Sequence, residues 1–288
     1  MRFFNRGPIV PVLRFTGPIG MVTPLRPGLA LATVAGPIEK AFNYSKLPSV
    51  AVVVNSPGGS PVQSHLIFSR IRQLAAERGK RVYVFCEDVA ASGGYFLALA
   101  GDEIYADPSS IVGSIGVISA GFGFDKFIDR FGIQRRVHAS GKDKGALDPF
   151  QPERPDDVVR LKELQRNVHE VFISIVKERR AGKLNGPEEE LFSGTFWSAV
   201  KALEYGLIDG LADLRSKMRA LHGDKVRLRA IPLSPGGLLA RFRRLPFGND
   251  HDNGFALPRA LADDLVSALE ARALWSRFGF REAWLSET

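Results

Sequence analysis

Two successive stretches of the chain repeat one arrangement: an apolar run, a short polar or small-residue loop, then helical spacing. Ser49–Val54 is compact, apolar and rich in β-branched residues, the pattern of a buried parallel strand. Asn55-Ser56-Pro57-Gly58-Gly59-Ser60 follows as a tight loop. Pro61–Arg78 then places Leu66, Phe68, Ile71 and Leu74 at helical spacing and stops at Gly79. Arg81–Cys86 predicts a second strand, Glu87–Ala91 a loop, Ser92–Ala100 a helix of small residues, and Ile104–Ala106 a third short strand. Strands joined in series through helices need crossover connections, so the fold class is α/β with a largely parallel sheet.

The rest of the chain extends this plan. Residues 1–48 are rich in Pro and Gly with short apolar runs such as Ile9-Val10-Pro11-Val12-Leu13, and predict an N-terminal segment of short edge strands. Lys126–Phe131 reads as a helix, Ile133–His138 as a strand and Gly141–Pro152 as a polar loop. A long helix from about Pro155 to Arg180 carries Val158, Leu161, Leu164, Val168, Phe172 and Ile175, and a further helix spans Ser198–Tyr205. Three regions result: 1–48, a principal domain at 49–223, and a tail at 224–288. The tail comprises a Pro/Gly/Arg-rich linker at 224–258 and an amphipathic helix at 259–276.

Composition narrows the function. Lysine and arginine number 39 against 31 acidic residues, a formal charge of +8, but the basic residues are spread along the chain. No helix-turn-helix, zinc-finger or RNA-binding signature accompanies them, so nucleic acid is not an expected partner. The single cysteine, Cys86, excludes an internal disulfide and a Cys-based metal site; its apolar neighbours Val82–Phe85 predict a buried, inert thiol. The first eight residues do not form a secretory signal, and no stretch of about 20 apolar residues occurs. A cytoplasmic location is the expectation. The run Leu238–Leu245, which mixes apolar residues with Arg241, Arg243 and Arg244, reads as a linker, a partner contact or a peripheral contact with an anionic membrane.

Sites in parallel α/β sheets lie at the carboxyl ends of strands. The loops after Val54 and Cys86 both qualify. Gly58-Gly59 lets backbone approach a ligand closely, and Ser92-Gly93-Gly94 sets a hydroxyl beside the N–H groups of a helix start, which suit a developing oxyanion. Taken singly, each is an ordinary turn or a phosphate cradle; the Gly-Lys-Ser/Thr of a Walker loop is absent. A serine hydroxyl needs a base to become a nucleophile. Of the five histidines, His65, His138, His169, His222 and His251, none stands in an obvious triad context. A lysine serves instead when burial or a cationic neighbour lowers its pKa. Lys142 and Lys144 occupy the loop Ser140-Gly141-Lys142-Asp143-Lys144-Gly145, by composition a solvated turn.

Together, Asn55–Ser60, Ala91-Ser92-Gly93-Gly94-Tyr95, Val112-Gly113-Ser114-Ile115-Gly116-Val117, Gly141–Lys144 with Asp148-Pro149-Phe150, and Phe192–Trp197 with Ala202–Gly210 resemble the bacterial signal peptide peptidase A family over about residues 45–215. The resemblance implies a Clp protease/crotonase-like fold of repeated strand–helix units with a C-terminal helical tail. It also implies a serine endopeptidase without metal or cofactor. Ser92 is then the nucleophile, Lys144 the general base, Gly59 and Gly93 the oxyanion-hole donors, and Ser114 the residue that orients the lysine. Peptide substrates, among them remnant signal peptides, and assembly as a homo-oligomer are further implications. The N-terminal membrane anchor usual in that family is not recognisable here, and the tail after residue 224 has no counterpart in it. A crotonase-like acyl-CoA enzyme would share the fold without needing Ser92 or Lys144. A silent scaffold would need neither residue, and the presence of both argues against it.

Overall fold

The computed structural model describes residues 7–20, 28–233 and 277–278. In chain order the elements are β1 (Ile9–Thr16), α1 (Leu31–Tyr44), β2 (Ser49–Ser56), α2 (Pro61–Arg78), β3 (Arg81–Ala91), α3 (Gly93–Ala98), β4 (Glu103–Ala106), β5 (Ile111–Gly113), α4 (Asp125–Arg130), α5 (Pro155–Arg179), α6 (Glu188–Leu191), β6 (Phe196–Ser198), α7 (Ala199–Glu204), β7 (Gly210–Leu211), α8 (Leu214–His222) and β8 (Arg227–Ala230). The sheet runs β6-β5-β3-β2-β1-β8, with β4 also on β3 and β7 on β4. Every pairing is parallel except β5 with β6. The mixed α/β class with a largely parallel sheet agrees with the sequence reading.

All eight residues of β2 are buried, as a central parallel strand requires. The helix after it is punctuated at both ends. Ser60 caps α2 by accepting from the Gln63 N–H, Pro61 fills its first turn, and Gly79 closes it at φ 58°. One face of the sheet packs Leu13, Phe15, Val50, Val52, Val54, Val82 and Val84 against α1, α2, α3 and α5, through residues such as Ile38, Phe42, Ile67, Ile71, Leu97 and Phe172. The opposite face carries a smaller cluster around Val10, Val12, Val53, Tyr83, Phe85, Tyr105 and Met218.

Four expectations change. The segment expected as edge strands holds an interior strand and a helix. β1 lies between β2 and β8, and α1 runs 14 residues through Gly36-Pro37 because Val34, Ile38, Ala41 and Phe42 form a buried face. Burial of that face outweighs a missing hydrogen bond at the proline. Glu87–Ala91 is not a loop but the second half of β3. Its register shifts between Val54 and Ser56, where Asn55 Nδ2 donates to Asp88 Oδ2 (2.7 Å) and the Val89 N–H donates to Asn55 Oδ1 (3.3 Å). Ile133–His138 forms no strand. It is exposed and, among the described residues, has no neighbouring strand to complete a ladder. Within the region read as linker, Arg227–Ala230 adds β8 to β1. The rest of that linker, the Leu238–Leu245 run and the helix at 259–276 lie outside the described residues.

Candidate active site

The register shift sets the site. β3 pairs with β4 over Tyr83–Cys86 and then with β5 over Val89–Ala91, so its carboxyl end reaches one strand further than β4. Ser92 sits on that end, between β3 and α3. Its φ of 52° and ψ of −122° place a side-chain-bearing residue where glycine is usual. The Ser92 N–H donates to Gly113 O (2.8 Å), and the Phe96 N–H returns to Ser92 O (3.0 Å). The serine is therefore fixed from both sides while its hydroxyl remains half-exposed.

The two glycine-containing loops meet here. A β-carbon on Gly58 would lie 2.8 Å from Ser92 Cβ and 2.9 Å from the Gly93 nitrogen; one on Gly59 would lie 2.1 Å from Ile19 O. Close packing of backbone on backbone explains both glycines. Gly59 bridges Ile19 through the Ile19 N–H to Gly58 O and the Ser60 N–H to Ile19 O, a pattern that leaves the Gly59 N–H out of the bridge. Gly93 opens α3, so its N–H has no intrahelical acceptor. The structure thus brings Gly59, Gly93 and Ser92 together.

Beside them lies an apolar pocket of about 200 Å³, lined by Val62, His65, Phe96, Val117, Val168 and Phe172 along with Ser92, Gly59 and Gly93. Phe96 stacks on Phe172 (centroids 4.9 Å apart), and His65 tilts against Phe96 at 5.8 Å. α2, α3 and α5 each supply part of the wall. The apolar spacing of α5 contained Val168 and Phe172, but only the fold shows that they face Ser92. His65 stands in no obvious triad context along the chain; the fold brings it to the pocket. A roomier cleft of about 630 Å³ lies between residues 119–125 and 145–161 and does not include Ser92; its size reflects open space between exposed segments.

Ser114 is buried, also at positive φ (55°), and its N–H donates to Thr195 O (2.7 Å). It follows β5, the strand that holds Ser92 through Gly113. Lys144 is elsewhere. It lies in an exposed turn, its N–H donating to Gly141 O (3.2 Å), and it does not line the pocket; Lys142 is exposed in the same turn. That turn belongs to an extension whose described surface exposes Ile118, Phe122, Phe127, Phe131 and Ile133, with Phe122 at 81%. His138 is exposed on the same extension. His169 contacts Ile115 O at 3.0 Å and ties α5 to the segment after β5. Cys86 is buried, and burial pushes its thiol up to about 12, so it stays protonated and inert, as its apolar context predicted.

A parallel α/β sheet that presents a serine on a strand-to-helix turn, against a glycine pair and an apolar pocket, belongs to the hydrolase class of designs. Residues 75–226 match peptidase family S49. A Synechocystis sp. protein described as a protease, slr0021, is 32% identical over 200 residues, covering 67% of this chain and 70% of that protein. The chloroplastic serine protease SPPA of Arabidopsis thaliana is 27% identical over 219 residues, 70% of this chain and 32% of that protein. A Brucella abortus (strain 2308) protein named Na(+)/H(+) antiporter NhaA is 54% identical over 275 residues, 94% of this chain but 37% of that protein. This chain is a member of peptidase family S49, a family of serine proteases. It spans little more than a third of the length of the antiporter-named relatives it matches.

Proposed function

We propose that the chain is a serine endopeptidase acting on apolar or membrane-derived peptides, remnant signal peptides among them. The observation that carries the reading is the convergence of Ser92, Gly59 and Gly93 beside an apolar pocket. Ser92 Oγ attacks the scissile carbonyl, and the Gly59 and Gly93 N–H groups receive the developing oxyanion. The pocket accepts an apolar side chain of the substrate. Lys144 takes the serine proton and returns it to the leaving amine, held by Ser114. Lys144 is exposed and away from the pocket, so in this reading it reaches Ser92 by packing of the extension, within one chain or across a homo-oligomer that would also cover Phe122, Phe127 and Phe131.

Ser92→Ala tests the reading. It is expected to abolish peptidase activity and labelling by a fluorophosphonate probe while the protein stays folded, because one hydroxyl is lost. Retained cleavage removes Ser92 as nucleophile.

One observation favours a second reading of the base: His65 lines the pocket together with Ser92. Activity retained in Lys144→Ala and lost in His65→Ala would select it. The antiporter name of the Brucella proteins supports a place of action at a membrane. Among the described residues no helix is long and apolar enough to cross one.

A further inference from the structure

The face of β3 that is turned away from the main core changes its cover along the strand. Tyr83 and Phe85 pack in the cluster with Val10, Val53 and Met218. Val89 and Ala91 on the same face are fully buried, yet they belong to a different cluster, completed by Phe278 and the half-buried Ile111. Phe278 is only 6% exposed. Its ring meets Phe196 edge-on at 5.0 Å and 65°, and the Arg277 guanidinium lies 5.9 Å from its centre.

The residues around this ring come from the three strands that fix Ser92. Ala91 is the residue immediately before it. Val89 pairs with Ile111 and Ala91 with Gly113, whose carbonyl accepts from the Ser92 N–H; Gly113 in turn pairs with Phe196 on β6. Both strand ends leave into positive φ, at Ser92 after β3 and at Ser114 after β5. A residue held in such a conformation keeps it only when its surroundings over-determine it. A buried aromatic ring across β3, β5 and β6 is a surroundings of that kind, since losing it exposes Val89 and Ala91 and frees the strand ends to relax.

We propose that Val89, Ala91, Ile111 and Phe196 form a socket for the ring of Phe278, and that Phe278, seated in it, is a positioning residue for Ser92. This rests on the reading of Ser92 as the nucleophile. The ring touches no substrate; it holds the backbone that aims the hydroxyl at the oxyanion donors. Sub-ångström errors in that aim are costly to rate while substrate binding, set by the pocket on the other face, is spared.

The test uses the full chain with Phe278→Ala and Phe278→Leu. Measured quantities are the fluorophosphonate labelling rate of Ser92, kcat and KM on an apolar peptide, and amide exchange at residues 89–92. The expected result for Phe278→Ala is about a tenfold fall in labelling rate and kcat, with KM within about twofold and faster exchange confined to the ends of β3 and β5. Phe278→Leu refills the socket partly and is expected to bring the loss down to about twofold or threefold. Should Phe278→Ala fail to fold, Phe278→Leu carries the measurement. Wild-type labelling in the folded variant overturns the proposal, and so does a raised KM at unchanged kcat, which would put Phe278 in substrate binding. Failure of the underlying reading looks different: the wild type does not label, or Ser92→Ala labels equally well.

Discussion

Ser92 keeps a β-carbon at φ 52°, a conformation that costs a non-glycine residue about 1–3 kcal/mol. The strain is held by the hydrogen bonds to Gly113 O and from the Phe96 N–H, with the Ser92 β-carbon packed against Gly58. If Ser92 is the nucleophile, as proposed, it needs a neutral base. Only the neutral form of an amine accepts a proton, and that form gains population as the solution becomes alkaline. Activity is therefore expected to rise with pH on the alkaline side in initial-rate profiles. Lys144→Ala and Lys144→Arg are expected to lose about 10²-fold or more in kcat, since a guanidinium does not give up its proton in a usable range. Lys142→Ala, two residues earlier in the same turn, is expected to keep most of the activity. The reverse pattern would move the base to Lys142.

At the scale of elements, α1 offers a measurement of how a helix survives its breakers. Gly36 is exposed, and an added β-carbon would meet nothing within 4 Å. Gly36→Ala is expected to raise stability by about 0.5–1 kcal/mol, read from the denaturant midpoint at unchanged slope. A drop would measure the clash of the new β-carbon with the Pro37 ring, which a residue before proline meets in a helix. The same helix shows why part of the fold was hidden in the sequence. Gly36-Pro37 is a local stop signal, and only tertiary burial of Val34, Ile38 and Phe42 overrides it. Local signals agreed with the fold where element and punctuation coincide, as in α2 between Ser60 and Gly79, predicted residue for residue. They failed at β5, β6 and β7, strands of two or three residues whose only cause is a neighbouring ladder. They also failed along Glu87–Ala91, where Asn55 bridges the shift in register. The site was legible as far as its backbone motifs, Gly58-Gly59 and Ser92-Gly93. The pocket walls were not, because Val62, Phe96 and Phe172 lie on three helices whose packing angles no local pattern records.

At the scale of the whole molecule, one ion pair ties several described elements together. Arg180, at 2% side-chain exposure, donates to Asp209 Oδ2 (2.8 Å) and to Gly206 O, and Lys183 pairs with the other carboxylate oxygen at 2.6 Å. Asp209 also accepts from the Ile104 N–H at the start of β4, so α5, the sheet and the chain after α7 meet on one carboxylate. Burial alone would raise its pKa, but the bonds from Arg180 and Lys183 prevail and hold it below the usual carboxylate range. A carboxylate lowered on folding contributes stability above its unfolded pKa of about 3.9, and that contribution is lost as pH falls through the lowered folded value. Acid unfolding followed by circular dichroism is expected to steepen below about pH 4, and Asp209→Asn is expected to flatten it. At neutral pH the variant is expected to be less stable by about 3–5 kcal/mol, because Arg180 stays buried without its counter-charge. Assembly is tested at this scale as well. If the extension delivers Lys144 across a homo-oligomer, mixing inactive Ser92→Ala and Lys144→Ala chains restores activity; if the base acts within its own chain, the mixture stays silent.

The seat of Phe278 behind the nucleophile strand has a consequence in time. The ring lies 186 positions after Ser92 in the chain. At about 5–20 residues per second, a ribosome adds it roughly 10–40 seconds after the serine. Through that interval the growing polypeptide carries Ser92 without the last of the residues that back its strand. On the proposal above, a serine whose aim is completed by a late-arriving side chain works about tenfold more slowly beside its own unfinished chain until that side chain is in place.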